Sequence, residues 1–477
     1  MGVARRDAIV LVTAGAVAWG LAARSLVVPN DLYWHLAIAR SIVAHGFPRT
    51  DPFAFSTDAI AWSPPEWLGE LAFGGAYAIG GLSGTAVLAL TAIAACFTLV
   101  VRAAHREGSP WPAAIAIVLF AWPASVHLPM RPLVLGDVLL VVLVERMFAL
   151  RAGDARGVAW IPLLFALWSN VHPSWPIGLA ILWMHALVLA FPATAIRVGL
   201  VVEPIDAANR RALLRSSLLA PLAVVLRPDG IDGALYPFVH VIGLGDRMRE
   251  IIEWFPPDFG EPVNLALVVL IALTLVSLLA DRSRIAALDL ALVLLGAAMA
   301  LRYQRFLPLA AFVCTPVLAR SLARTRLSSL SLSPALGLAL PLALALAPSP
   351  APSTFPAAAV AYVRAHPLPT RGFNTFEDGG YLLWSLPDRQ VFIDSRFDLY
   401  ARAGVFDDYL ALRRGERIAE ILDRYAIDAA FVPTHARDEN FSALEAALPA
   451  LGFAQVHTDE QTHVWTREPR AITSLHP

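Results

Sequence analysis

The chain alternates long apolar runs with short polar connectors, and the polar positions carry almost all of its arginines. Runs at residues 8–23, 84–101, 111–126, 133–150, 158–168, 175–191, 213–226, 263–280, 285–301, 306–318 and 333–347 predict about eleven membrane-spanning helices, some of them short. A further apolar stretch at 69–81 predicts a short or re-entrant segment. Two regions break the pattern. Residues 30–71 form a polar, aromatic loop between apolar runs, and the sequence turns mixed beyond residue 347. There the proline-rich 348–356 reads as a linker. After it, strands are predicted at 372–375, 390–394, 429–433, 454–457 and 463–466, with helices at 379–384, 416–425 and 441–451. The predicted fold class is an α-helical polytopic membrane protein, residues 1–347, with a small C-terminal α/β soluble domain, residues 357–477.

Composition agrees with this division. The 477 residues are 57% hydrophobic and 16% charged, with mean hydropathy +0.61, outside the range of ordinary soluble domains. A net charge of -1 provides no basic field for nucleic acid. Cys96 and Cys314 both lie in apolar runs, which supports neither a disulfide framework nor a cysteine zinc site. All 37 basic residues are arginine, which excludes a Schiff-base lysine and a P-loop and also fits a coding bias. Arg5 and Arg6 precede the first run, read as an uncleaved helix rather than a signal peptide. Arg102, Arg106, Arg151, Arg156, Arg197, Arg210, Arg211, Arg215, Arg282, Arg284, Arg320, Arg324 and Arg326 then mark cytoplasmic connectors. The N-terminus is expected in the cytoplasm. An odd number of spans puts the 30–71 loop and the C-terminal domain outside the cytoplasmic membrane, in the periplasmic space of the cell envelope.

The candidate chemistry gathers on that outer side. Asp31 and His35 stand four residues apart on a predicted short helix, and Glu66 and Glu70 repeat the spacing. Such faces suit a base, an acid or a divalent-ion site, and a solvated connector is the plainer reading. Asp51 lies in the same loop. Arg302 and Arg305 interrupt two apolar runs and suit a lipid-linked phosphate, or simply snorkel. Arg131, at the edge of a helix with His127, joins them as a donor-phosphate candidate, with Asp137 deeper in its span. Asn170 and His172, between Trp168 and Trp175, read as a cavity rim or as hydrogen-bonded helix-end residues. In the soluble part, Gly379 and Gly380 allow a close backbone approach or a tight helix start. Tyr381, Asp394 and Arg396 are substrate-binding candidates, Asp394 and Arg396 alternatively pairing with each other.

The succession of Asn30-Asp31-Leu32-Tyr33-Trp34-His35-Leu36, Thr50-Asp51-Pro52-Phe53, Trp62 and Glu66-Trp67-Leu68-Gly69-Glu70 resembles the first outer loop of GT-C-type membrane glycosyltransferases. Gly379-Gly380-Tyr381-Leu382-Leu383-Trp384 and Val391-Phe392-Ile393-Asp394-Ser395-Arg396 are similar to the terminal domain of the same group, with a distant likeness to oligosaccharyltransferase catalytic subunits. The resemblance implies transfer of a sugar from a polyprenyl-phosphate or polyprenyl-diphosphate donor to a glycan, lipid or protein acceptor, with inversion. It implies Asp31 as general base or metal ligand; on that basis Glu66, Glu70 or His35 is expected to orient Asp31 catalytically or to complete a divalent site at Asp31 and Glu66, whose oxygen ligands suit Mg²⁺ or Mn²⁺. The chain departs from the mannosyltransferase pattern by offering Asn30-Asp31 where paired acids stand, and it lacks a full Trp-Trp-Asp-Tyr-Gly motif.

Two other functions fit an apolar chain of this kind. A transporter or flippase would show duplicated halves with broken helices and ionisable groups near mid-bilayer, and no duplication is visible. A catalytically silent GT-C-fold assembly protein would share the architecture without the transfer.

Overall fold

A computed structural model describes residues 20, 26, 28–57, 60–106, 129–244, 251–280, 285–324, 355–434 and 440–468. The expected spans at 111–126 and 333–347, the span at 8–23 apart from Gly20, His127 and the linker up to residue 354 lie outside them. In chain order the helices are α1 (Asn30–His45), α2 (Trp67–His105), α3 (Leu133–Arg151), α4 (Ile161–Val171), α5 (Trp175–Ala190), α6 (Pro192–Arg197), α7 (Ala207–Ala223), α8 (Gly230–Leu244), α9 (Pro262–Ala280), α10 (Ala287–Arg302) and α11 (Leu307–Ala323). There follow α12 (Ala357–Ala365), β1 (Gly372–Phe373), α13 (Gly379–Ser385), α14 (Phe397–Ala403), α15 (Val405–Arg413), α16 (Ile418–Arg424), β2 (Ala429–Pro433), α17 (Ser442–Ala447), β3 (Ala454–Thr458) and β4 (Thr462–Thr466). The chain divides into two compact units. A helical unit comprises Met1–Val27, Ala76–Pro237 and Met248–Ala351, and a mixed unit comprises Val28–Gly75, Phe238–Arg247 and Pro352–Pro477.

Among the described residues, three helices are long and apolar enough to cross a membrane: Trp67–His105, Pro262–Ala280 and Gln304–Ala323. Val158–Val171 and Trp175–Ala190 are apolar but shorter. The short segment and the span expected at 69–81 and 84–101 are the two arms of α2, which meet at a kink at Gly80 and Gly81, where Gly81 takes φ 59°. A left-handed backbone at that point interrupts the hydrogen-bond ladder without a side chain to strain it.

In the helical unit, α11 is buried from Leu307 to Arg320 and packs against α9 and α10. Gly296 lets α10 approach closely: a Cβ there would meet Val313 Cγ2 at 2.7 Å and the Ala310 Cα at 3.1 Å. Small residues at such crossings are how apolar helices gain contact where water exclusion gives no drive. Charges cluster at the helix ends. Arg131 precedes α3 and meets Glu253, which Arg305 shares, whereas Arg151, which closes α3, meets Glu203 and Asp289. Nineteen residues of helix, about 28 Å at 1.5 Å per residue, lie between those two ends. The arginines expected on opposite sides of the membrane thus belong to different clusters.

The second cluster is a four-member network. Arg151 Nε donates to Glu203 Oε2 at 2.6 Å and its Nη1 lies 2.7 Å from Asp289 Oδ1. Arg320 completes it from α11, reaching Glu203 and, at 3.5 Å, Asp289. Burial by itself raises the Glu203 carboxyl, but the two guanidiniums outweigh it and hold it below its ordinary value.

The mixed unit holds a four-stranded sheet in the order β1-β2-β4-β3, with β1 parallel to β2 and the remaining pairs antiparallel. β2 is buried along its whole length, as a central strand of apolar residues should be. The strand expected at 390–394 does not form. Asn374 takes the place of a neighbouring strand: its Oδ1 accepts from Phe392 N at 2.9 Å and its Nδ2 donates to Ile393 O at 2.6 Å. The 51–57 loop serves the other edge, through Val391 N to Phe53 O at 3.0 Å and Ser56 Oγ to Phe392 O at 2.5 Å. Helices α14 and α15 went unpredicted; Gly404, with φ 76°, separates them.

Asp289→Ala leaves two arginines with one shared carboxylate in a dry setting. It is expected to cost about 3 kcal/mol or more of stability, read as a lowered thermal midpoint of the detergent-solubilised protein. Pairing it with Arg151→Met should recover a large part of the loss.

Candidate functional site

The mixed unit assembles its site around the first turn of α1. Pro29 stands in extended geometry just before the helix, and Asp31 lies in its first turn, where the exposed N–H groups favour a negative charge. Leu32 to Ala39 are all buried, so the helix is fixed and its polar first turn is presented from a rigid base. Asp31 is itself partly accessible. Its Oδ1 accepts from Ser395 Oγ at 2.6 Å and from Trp34 Nε1 at 3.4 Å. Next to it, Asn30 Nδ2 donates to Glu377 Oε2 at 2.5 Å.

Two glycines make this assembly possible. A Cβ on Gly380 would stand 3.0 Å from Asn30 O and 3.2 Å from Trp34 N, and one on Gly379 would stand 2.0 Å from Ile393 O and 2.7 Å from the Asp394 Cα. The N-terminal turn of α13 therefore wedges, backbone to backbone, between α1 and residues 393–394. Both sequence readings for this pair are seen, since Gly379 opens α13 and both glycines permit the close approach. Arg40 secures the other end of α13, donating to Leu383 O and Trp384 O at 3.0 and 3.1 Å and stacking on the Trp384 ring at 4.5 Å. Tyr381 joins Tyr33 and Phe355 in a cluster of three rings, with centroids 4.9 to 5.0 Å apart.

His35 gathers the other two acids. Its Nδ1 lies 3.3 Å from Glu70 Oε1 and its Nε2 lies 3.9 Å from Glu66 Oε2, with the ring 3.6 Å from that of Trp34. His35 and Glu70 are buried, Glu66 only partly. Among the described residues no group of three His, Cys, Asp or Glu side chains is arranged to hold a metal ion. No step below is routed through a divalent ion.

Asp51, Asp394 and Arg396 come together, but in the interior. Arg396 donates to Asp394 from Nε at 2.8 Å and from Nη2 at 2.6 Å, and to Asp51 from Nη1 at 2.7 Å. Phe53, Trp62 and Tyr400 pack their rings within 5.8 Å of the guanidinium. Tyr400 Oη donates to Asp394 Oδ2 at 2.7 Å, while Asp51 accepts in addition from Thr57 Oγ1 at 2.7 Å. Burial opposes the charge on Arg396, yet Asp394 and Asp51 outweigh it and push its pKa well above the ordinary value. Burial and the neighbouring Asp394 push the Tyr400 phenol upward too. The pairing foreseen for Asp394 and Arg396 is present, and Asp51 is its third member.

In the helical unit, Glu253 bridges two of the three arginines assigned to phosphate. It accepts from Arg131 through Oε1 and from Arg305 through Oε2, the latter at 2.8 Å. Arg302, more exposed, lies over the Tyr303 ring at 4.9 Å. Trp254, Tyr303 and Phe306 line the same place, with Arg305 5.4 Å above Trp254. Buried Asp137 lies within electrostatic reach of Arg305 and Arg131, supplying the arginine partners that its position in the span demands. Asn170 and His172 hold backbone instead. Asn170 Nδ2 donates to Ala166 O at 2.7 Å and Leu226 O at 2.8 Å, and His172 Nδ1 accepts from Ser174 N at 3.1 Å just past the end of α4.

The sequence assigned no role to Glu377 or Ser395, although Ser395 lies within the Val391–Arg396 motif and Glu377 stands two residues before Gly379. Their signal is positional: both stand beside the Gly379–Asp394 backbone contact that brings them to α1.

Neither a protein-family model nor a curated protein sequence matches the chain. Solved structures do. The crystal structure of the Archaeoglobus fulgidus oligosaccharyltransferase tethered to an acceptor peptide is 13% identical, with a TM-score of 0.58 over 97% of this chain and 74% of that one. The archaeal oligosaccharyltransferase AglB of the same organism, in complex with an inhibitory peptide and a dolichol-phosphate, is 14% identical, with a TM-score of 0.57 over 90% of this chain and 69% of that one. The chain has the GT-C fold of these enzymes.

Gly379→Ala forces a methyl into a backbone carbonyl. It should cost about 1–3 kcal/mol of stability and open the α1–α13 contact, read as faster hydrogen exchange over residues 379–385 and 30–34.

Proposed function

We propose that this chain is a membrane glycosyltransferase that moves a sugar from a polyprenyl-phosphate or polyprenyl-diphosphate donor to an acceptor, with inversion, on the outer face of the cytoplasmic membrane. The observation that carries the reading is the shared fold with oligosaccharyltransferases, one of which is recorded with a dolichol-phosphate and a peptide. Supporting it is a carboxylate, Asp31, that is fixed by Ser395 yet still partly accessible.

In the proposed reaction the acceptor heteroatom attacks the anomeric carbon as the bond from that carbon to the phosphate oxygen breaks. Asp31 takes the acceptor's proton, a role worth roughly 10² to 10⁴ in rate for a placed base. Ser395 is a positioning residue that sets the carboxylate's rotamer. His35, Glu66 and Glu70 form a hydrogen-bonding set on α1 and the start of α2 that orients the acceptor. The leaving phosphate is charge-stabilised by Arg302, Arg305 and Arg131, which the apolar surroundings strengthen. Glu253 is the counter-ion of Arg131 and Arg305 when no donor is bound. Tyr381, with Tyr33 and Phe355, supplies a ring surface for sugar or acceptor. The buried trio of Asp51, Asp394 and Arg396 supports the segment that carries Ser395, and Asn170 and His172 brace the helical unit.

Transfer of labelled sugar from a polyprenyl carrier into membrane-bound acceptor tests the assignment. Asp31→Asn should lower kcat by about 10²-fold or more with the protein still inserted and monodisperse. Arg302→Ala should lower kcat/KM about tenfold or more, the scale for a hydrogen bond to a charged group. Unchanged transfer in Asp31→Asn rules out its role as base, and no transfer by the unaltered protein with any polyprenyl-linked sugar rules out the enzyme reading.

A further inference from the structure

A second cationic centre lies in the helical unit, at the ends of α2 and α3 where they finish together, and the proposed reaction makes no use of it. Glu145, 3% exposed, is its core. Three guanidiniums converge on that one carboxylate: Arg102 Nε at 3.2 Å, Arg106 in a short contact and Arg146 Nε at 2.6 Å. Arg146 also donates to Arg156 O at 3.1 Å. Among the described residues, Asp154 beside this centre is already held by Arg156 through two hydrogen bonds of 2.9 and 3.1 Å. Among the described residues, four arginines therefore face two carboxylates, leaving two positive charges in excess. Arg102 is 53% exposed, and Arg106 buries an Nε that has no hydrogen-bond partner among the described residues. A donor buried without an acceptor costs free energy that an incoming anion recovers.

The surroundings indicate what kind of anion. The aliphatic part of Arg146 packs on Gly157, its Cδ 3.5 Å from where a Cβ would stand. Three residues farther on, Trp160 is 69% exposed, and Leu163 and Leu167 continue from it as exposed positions along α4. A Trp at the head of an apolar, outward-facing stripe marks the level where hydrocarbon meets headgroups. Guanidiniums at that level meet phosphates bearing acyl chains at far higher local concentration than phosphate free in solution. Arginine also pairs with phosphate in bidentate geometry.

We propose that Arg102, Arg106 and Arg146, gathered around Glu145, form a binding site for the headgroup phosphate of an anionic membrane lipid, with an acyl chain lying along the Trp160–Leu167 stripe. The site is separate from the three arginines assigned to the donor, and its occupation is independent of sugar transfer.

Native mass spectrometry of the detergent-released full chain tests this, in separate arms containing phosphatidylglycerol, phosphatidylcholine or inorganic phosphate. The unaltered protein should retain phosphatidylglycerol at least fivefold over phosphatidylcholine. Arg102→Gln, at a half-exposed position that does not endanger the fold, should lower that ratio at least twofold, and Arg102→Gln with Arg146→Gln should abolish it. Equal retention of the two lipids by the unaltered protein, or a ratio untouched by Arg102→Gln, overturns the proposal. Displacement of the lipid by millimolar inorganic phosphate also overturns it, because the site then selects a free anion.

Discussion

A guanidinium cannot be buried alone, and the mixed unit is built on meeting that requirement at Arg396. Its charge is offset by Asp394, two residues before it, and by Asp51, from a loop 345 positions away. Removing either acid strands a charge, and removing the arginine strands two. Because the offset is needed, the 51–57 loop is bound to residues 391–396. Trp62 and Phe53 exclude water from the pair, and Ser395 is carried to Asp31 as a result. The accessible carboxylate thus depends on an inaccessible one. A single paired network is weak evidence for net stability, but here its effect is to fix position, since the residues it joins are too far apart in sequence for local preference to unite them.

The helical unit meets the same requirement differently. Among the described residues it gathers most of its ionic groups near helix ends, where three of the carboxylates take two or three arginines each. Glu253 serves Arg131 and Arg305, Glu203 serves Arg151 and Arg320, and Glu145 serves Arg102, Arg106 and Arg146. With no lysine in the chain, every such contact is made by a planar group able to bind two oxygens in one plane. A few acids can then organise many cations, and the excess charge remains available for other anions.

Much of this was legible in the residue order, and the reasons it stopped being legible are physical. Hydrophobic runs located α3, α5, α9, α10 and α11 to within a few residues, because an apolar interior leaves the backbone few choices. The spacing of Asp31 and His35 placed them on one helix, and Gly379-Gly380 announced a close approach. What the pattern concealed was where a side chain substitutes for a backbone. The run 390–394 has the composition of a strand, yet it is paired by the amide of Asn374 and by the 51–57 loop. Period and propensity carry no record of that partner. Likewise, Asp394 and Arg396 look alike as site residues or as support, since the distinction is burial, which arises only once Asp51 and Trp62 arrive. The two arms of α2 were legible as separate apolar segments, 69–81 and 84–101, and the kink falls at Gly80 and Gly81, where the first of them ends.

The way Asn374 completes the sheet bears on association between molecules. An open sheet normally advertises its outermost strands to any extended peptide. Here β1 is only two residues long, and the chain flanking it is held by a carboxamide rather than by a repeating ladder, so an intruding strand finds no register to continue. At the opposite border the irregularity between Gln455 and His457 interrupts the rhythm of β3. Both borders are blunted without a single proline or lysine, which leaves a protein of this hydrophobicity less prone to polymerise through its sheet.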